Sequence, residues 1–158
     1  MSTLLAAVRP DDWIVPLFVH VFGAMLLVGG VATAFAAQAA GWRRQEPDDA
    51  RRFARLAFWA LLVVAIPGWI VMRIGAQWIA SEEGLDGDQV PNWVDIGYVT
   101  AEPGGALLLA ATILAGFGVR RLGRGASASR LTRVSTVLVG VALVGYLIAV
   151  WAMTAKPS

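Results

Sequence analysis

Four long stretches of this chain are almost free of charge. Residues 13–42 carry no formal charge, residues 56–81 carry only Arg73, residues 96–119 carry only Glu102, and residues 134–155 carry none. Crossing a bilayer as helix takes about 20 predominantly apolar residues. Backbone without internal hydrogen bonds is excluded from the hydrocarbon, where no water can satisfy it. These stretches therefore predict an all-α integral membrane protein: one domain over residues 1–158, with four transmembrane helices at about 14–40, 56–80, 97–119 and 134–154, forming an antiparallel bundle of two similar hairpins. Composition agrees, because 58% hydrophobic and 15% charged residues exceed what one small soluble core could bury. The first apolar run is too long for a cleavable signal peptide, and Asp11 and Asp12 stand where a basic region would precede one.

Arginine placement predicts orientation. Arg43, Arg44, Arg51, Arg52 and Arg55 lie between the first two spans, and Arg120, Arg121, Arg124, Arg130 and Arg133 between the last two. The other side holds Arg9, Lys156 and the acidic loop of residues 81–95. The positive-inside rule then puts both termini and the acidic loop outside, in the inner (plasma) membrane of a bacterium. Trp13, Trp69, Trp78, Trp93 and Trp151 are expected at the outer interface and Trp42 at the inner one. The two arginine loops resemble each other, as Gly41-Trp42-Arg43-Arg44 and Gly118-Val119-Arg120-Arg121 illustrate. A duplicated hairpin would produce this, and so would two inside loops obeying one charge rule. Pro47 with Asp48 and Asp49 reads as a helix start, and Ser127 or Ser129 as the cap of the fourth span.

In the first span a three-and-four spacing aligns His20, Gly23, Leu27, Gly30, Ala34, Ala37 and Gly41 on one face. Small residues at that spacing admit another helix closely, from the same chain or a second copy. The third span has a stripe of Asp95, Tyr98, Glu102, Gly105, Leu109, Thr112 and Gly116, with Pro103 read as the true start of that helix. Pro67-Gly68 is expected to disturb the second span, and Tyr146 is the polar group in the outer half of the fourth. At 1.5 Å rise per residue, His20, Arg73 and Glu102 each lie roughly 9 Å inside the outer end of their spans. An unpaired charge at that depth is unfavourable by a few kcal/mol or more, so an Arg73–Glu102 pair is expected.

These residues define a candidate ligand site of His20, Arg73, Asp95, Tyr98, Glu102 and Tyr146 facing outward, against the alternative that the charged pair only braces two helices. No catalytic residue is identified. His20, the one histidine, is the candidate metal ligand; a haem b on it needs a second copy, an axial Met25 or Met153, or five-coordinate iron. Copper held by His20, Met25 and Met153 suits ligand softness, but those methionines do not cluster in sequence. Glu82, Glu83, Asp86 and Asp88 lack the alternation of a calcium loop and read as solvated. With no cysteine there is no thiolate chemistry, and no phosphate loop, dinucleotide fingerprint or zinc-protease motif occurs. A net charge of +2 concentrated beside apolar spans does not call for nucleic acid.

His20-Val21-Phe22-Gly23 with Gly29-Gly30 resembles the first-helix pattern of small bacterial four-helix integral membrane proteins of unknown function. More distantly it resembles the copper-resistance D-type membrane domain and the HemJ-type protoporphyrinogen oxidase. The resemblance implies haem or metal chemistry at a histidine near the start of the first helix, which here is His20 alone. The chain departs from the HemJ-type pattern in having no other histidine and no lysine within a span.

Three functional expectations follow. The first is an inner-membrane protein whose outward polar pocket binds or passes a small ligand, ion or proton, with haem as a candidate cofactor. The second is a non-enzymatic accessory subunit of a membrane complex, and the third a haem-dependent membrane oxidoreductase. The bilayer is the expected surrounding, and the many small-residue faces suggest a homo-oligomer or a hetero-complex.

Overall fold

A computed structural model describes residues 14–44, 46–83, 92–125 and 129–155. It is all-helical: α1 (Ile14–Trp42), α2 (Pro47–Trp59), a π-helical turn (Ala60–Ala65), α3 (Ile66–Glu83), α4 (Asn92–Gly123) and α5 (Ser129–Ala155). Helix α2, the π turn and α3 run on as one rod, giving four helices long and apolar enough to cross a membrane. Each expected span lies inside a longer helix. The second, Pro47–Glu82, has 36 residues, about 54 Å at the α-helical rise, against a hydrocarbon core of about 30 Å. Its excess is α2, which carries Asp48, Asp49, Arg51, Arg52 and Arg55.

The helix starts follow from local chemistry. Pro47 occupies the first turn of α2, where its missing N–H loses no bond, and Asp48 and Asp49 complement the helix dipole. Helix α5 begins with Ser129 as its first helical residue, and the position before it, like Ser127, lies outside the described residues. The disturbance expected at Pro67 takes the form of the π turn just before it, where Ile66 N–H reaches back to the Leu61 carbonyl. The ring of Pro67 would crowd the carbonyl four residues earlier, Val63, and the wider turn accommodates it without ending the helix.

The glycine face of α1 packs against the second span of the same chain. Gly23, Leu27, Gly30, Ala34 and Ala37 are buried. A Cβ on Gly23 would run into the Met72 backbone, and one on Gly30 would lie 2.8 Å from the Ala65 nitrogen. From the other side, a Cβ on Gly68 would lie 2.6 Å from the Leu27 nitrogen, and one on Gly75 would run into the His20 backbone. As the number rises along α1 the partner's number falls, from Gly75 through Met72, Gly68 and Ala65 to Phe53, which faces Gly41. The pairing of α4 with α5 has the same sense: Gly97 meets Met153, Gly104 meets Tyr146 and Gly118 meets Thr132.

Contacts between these two helix pairs close one core, in which Leu27, Val31, Leu61, Leu108, Val139 and Tyr146 meet. Phe35 of α1 rests on Gly140 of α5, and Phe58 of α2 on Gly116 of α4. Near the arginine-rich end, Gln38 Nε2 donates to Ser135 Oγ at 3.0 Å, and that hydroxyl donates to the Ala111 carbonyl at 3.0 Å. One buried relay thus ties α1, α5 and α4 together. Thr33, Thr100, Thr112 and Thr136 instead bond the carbonyl four residues back on their own helix, which satisfies a hydroxyl without a partner helix.

One reading of the third span is corrected. Pro103 lies inside α4 and does not start it, because the helix already runs from Asn92. The buried face of α4 is Gly97, Ala101, Gly104, Leu108, Ala111 and Ala115; of the expected stripe, Gly105 and Thr112 are buried beside it, whereas Asp95, Glu102 and Leu109 are exposed. Close approach selects the small residues, and the acidic Asp95 and Glu102 are left exposed.

Because the α1 contacts are backbone to backbone, they cannot yield by moving a side chain. Gly23→Ala is expected to lower stability by about 1–3 kcal/mol. Gly29→Ala, where a Cβ meets nothing within 4 Å, is expected to be neutral or to gain up to about 1 kcal/mol from helix propensity. Reversible unfolding in mixed micelles measures both.

Candidate functional site

Span packing brings Arg73 of α3 and Glu102 of α4 together at the end of the bundle opposite the arginine loops. Arg73 Nη2 donates to Glu102 Oε1 at 3.4 Å, and the guanidinium carbon stands 5.2 Å from the centre of the Tyr98 ring. Tyr98 lies one turn before Glu102, so both reach the same arginine. The pair is lopsided: the Arg73 side chain is 19% exposed and that of Glu102 68%. A guanidinium has five N–H donors, and the Glu102 contact is the hydrogen bond it makes among the described residues.

What holds α3 against α4 here is an aromatic interlock on Pro103-Gly104-Gly105. The Trp69 indole lies over Gly105, where a Cβ would come within 2.6 Å of the ring, and Nε1 donates to the Ala101 carbonyl at 2.9 Å. From α5, the Tyr146 ring lies over Gly104, where a Cβ would come within 2.8 Å. Adjacent glycines thus receive one ring each from two different helices. Trp69 is accordingly not a headgroup anchor, as its sequence position suggested; it is turned inward by the missing side chain of Gly105. Trp42, Trp78 and Trp151 do expose large parts of their rings.

The remaining expected site residues are placed as follows. His20 is at the level of the pair but does not join it: Nδ1 lies 3.0 Å from the carbonyl oxygen of Met72, the residue before Arg73. Since a carbonyl only accepts, Nδ1 is the donor in this contact. Tyr146 is buried on the far side of Gly104, with a hydroxyl that has no partner among the described residues. Asp95 is exposed at the start of α4. Glu82 and Glu83 end α3, and Asp86 and Asp88 lie outside the described residues.

For a metal or haem, the geometry supplies one donor. An imidazole whose Nδ1–H bonds a backbone carbonyl is oriented for ligation through Nε2. Met25 is five residues on, about 140° around α1 from His20, and is exposed, while Met153 packs on Gly97. Among the described residues no group of three His, Cys, Asp or Glu could hold a metal ion. Copper held by His20 with two methionines, and a haem with His20 and a methionine as its axial pair, therefore do not fit this arrangement.

Sequence reasoning missed Trp69 as a positioning residue, and it missed Gln38 and Ser135. The adjacent glycines after Pro103 were the available signal for the first. For the second, Gln38 is the one amide side chain in an otherwise uncharged first span.

In comparisons with models of known protein families, with curated proteins and with solved structures, the chain matches none.

The interlock and the charged pair are separable. Trp69→Phe, which loses the bond to Ala101, is expected to lower stability by about 0.5–1.5 kcal/mol. Glu102→Gln is expected to change it by less than about 1 kcal/mol, because the carboxylate is largely exposed. Unfolding of each variant in the same micelles checks the order.

Proposed function

We propose that the chain is a multi-pass protein of the bacterial inner membrane, an antiparallel bundle of two hairpins with both termini outside. Its Arg73, Tyr98 and Glu102 form an outward-facing polar site that binds or passes a small ligand, ion or proton. The observation that carries this reading is the arginine: sunk against Tyr98, it has most of its donors unused among the described residues, beside a carboxylate that is open to its surroundings. At the depth of a span, unused charged donors are unfavourable, and an acceptor-rich ligand or ion would satisfy them. His20 holds the α3 backbone one residue away, so it serves as a positioning residue for Arg73.

One feature supports keeping the site in one chain. The Gly23 and Gly30 face, which a partner would have needed, is covered by the second span. Haem enters only as five-coordinate iron on His20 Nε2 or as iron shared between two copies, and a Soret band lost in His20→Gln would reveal it.

The reading as an accessory subunit rests on a different observation. Glu102 shares an exposed stripe of α4 with Val99, Leu109, Ile113 and Phe117. A carboxylate on an apolar flank is tolerable where a partner helix or the aqueous interface covers it.

Thermal stability in micelles, with chloride, acetate and phosphate added separately, tests the first reading. At least one of these ions is expected to stabilise the wild type, with the effect lost in Arg73→Gln. Equal responses in both proteins, together with a stoichiometric partner in native mass spectra, would favour the accessory reading instead.

A further inference from the structure

At the arginine-rich end, far from the Arg73 site, α2 carries an open depression of about 490 Å³ lined by Asp48, Arg51, Arg52, Arg55, Leu56 and Trp59. Helical spacing puts three arginines on the outer turns of this face and two large apolar side chains on the next turn inward. Leu56 and Trp59 are each 51% exposed, so neither is consumed by the core. Trp59 lies four residues beyond Arg55, about 6 Å farther along the rod. That is the order of a lipid boundary, with charge at phosphate depth and an aromatic ring at glycerol and upper-chain depth.

The positive charge of the depression is poorly balanced within the chain. Asp48 is the one carboxylate in the lining. Arg52 approaches Asp49 at 4.0 Å, with its side chain 83% exposed. Arg51 Nε is buried with no hydrogen-bond partner among the described residues, and its guanidinium is wedged beside Gly123, where a Cβ would lie 3.2 Å from Nη2. Its buried Nε is closed to a ligand, so an anion in the depression meets this guanidinium, held beside the end of α4, through its Nη groups. The apolar rim beneath it distinguishes a lipid from a free anion.

We propose that this face of α2 is a specific site for an anionic phospholipid, whose phosphodiester sits among Arg51, Arg52 and Arg55 while its glycerol and acyl chains pass over Leu56 and Trp59. The protruding α2 is then seated on the inner leaflet by a bound lipid, and the depression is filled.

The test uses the full chain in micelles and native mass spectrometry, with phosphatidylglycerol, phosphatidylcholine and inorganic phosphate as separate probes. The unmodified protein is expected to retain phosphatidylglycerol in preference to phosphatidylcholine, and millimolar phosphate is expected not to displace it. The triple variant Arg51→Gln, Arg52→Gln, Arg55→Gln is expected to bind phosphatidylglycerol about fivefold more weakly for each arginine removed. The control Arg120→Gln, Arg121→Gln, Arg124→Gln, which removes equal charge elsewhere on that end, is expected to keep most of the binding. Equal retention of the two lipids by the unmodified protein, displacement by phosphate, or equal loss in both triple variants would each overturn the proposal. The first two outcomes need no variant to fold.

Discussion

Close approach of the α1 backbone to the second span is the constraint on which the rest of the bundle depends. In a bilayer, apolar surface gains little by leaving lipid for protein, so helices associate through contact area and hydrogen bonds. Gly23 and Gly30 on α1 and Gly68 and Gly75 on α3 remove the side chains that would keep the backbones apart. The approach brings the Met72 carbonyl within reach of the His20 ring, and it fixes the rotation of α3 that aims Trp69 and Arg73 at α4. The π turn belongs to the same constraint, because it lets Pro67 and Gly68 occupy the contact without breaking the rod.

The second helix pair is joined to the first by inserted rings and one polar relay. At the end with the charged pair, Trp69 and Tyr146 lie on Gly105 and Gly104; at the other, Gln38 and Ser135 reach Ala111. These contacts use small residues on both sides of α4, so its polar edge of Tyr98 and Glu102 is left facing outward from the core. The geometry of the candidate site is thus a by-product of where the glycines are.

The helices themselves were legible, because freedom from charge over such lengths has few other meanings. The α1 face was legible too, since glycine at a spacing of three and four leaves little choice, although its partner's identity was not. The Arg73–Glu102 pair followed from depth alone. Rotation about α4 was half legible. The stripe through Tyr98 and Glu102 holds Gly105 and Thr112, which are buried, and Glu102 and Leu109, which are exposed; in lipid the small residues mark the packed face, and Pro103 reads from sequence as a helix start. Trp69 was misplaced for a related reason: a tryptophan in an apolar span looks like an interface anchor until the glycine that receives it is known. His20 looked like a member of the charged cluster, but its ring spends its proton on a backbone carbonyl.

The absence of cysteine allows a direct test of the claim that the Arg73–Tyr98–Glu102 edge opens to the outer aqueous face. Single cysteines at Glu102, at Leu109 on the same exposed stripe, and at Arg44 beside the arginine loops can be probed in intact cells with a membrane-impermeant maleimide. The account predicts rapid labelling at position 102, little at 109, and labelling at 44 only after the cells are permeabilised. Labelling at 44 from outside, or none at 102 in a folded protein, would contradict it.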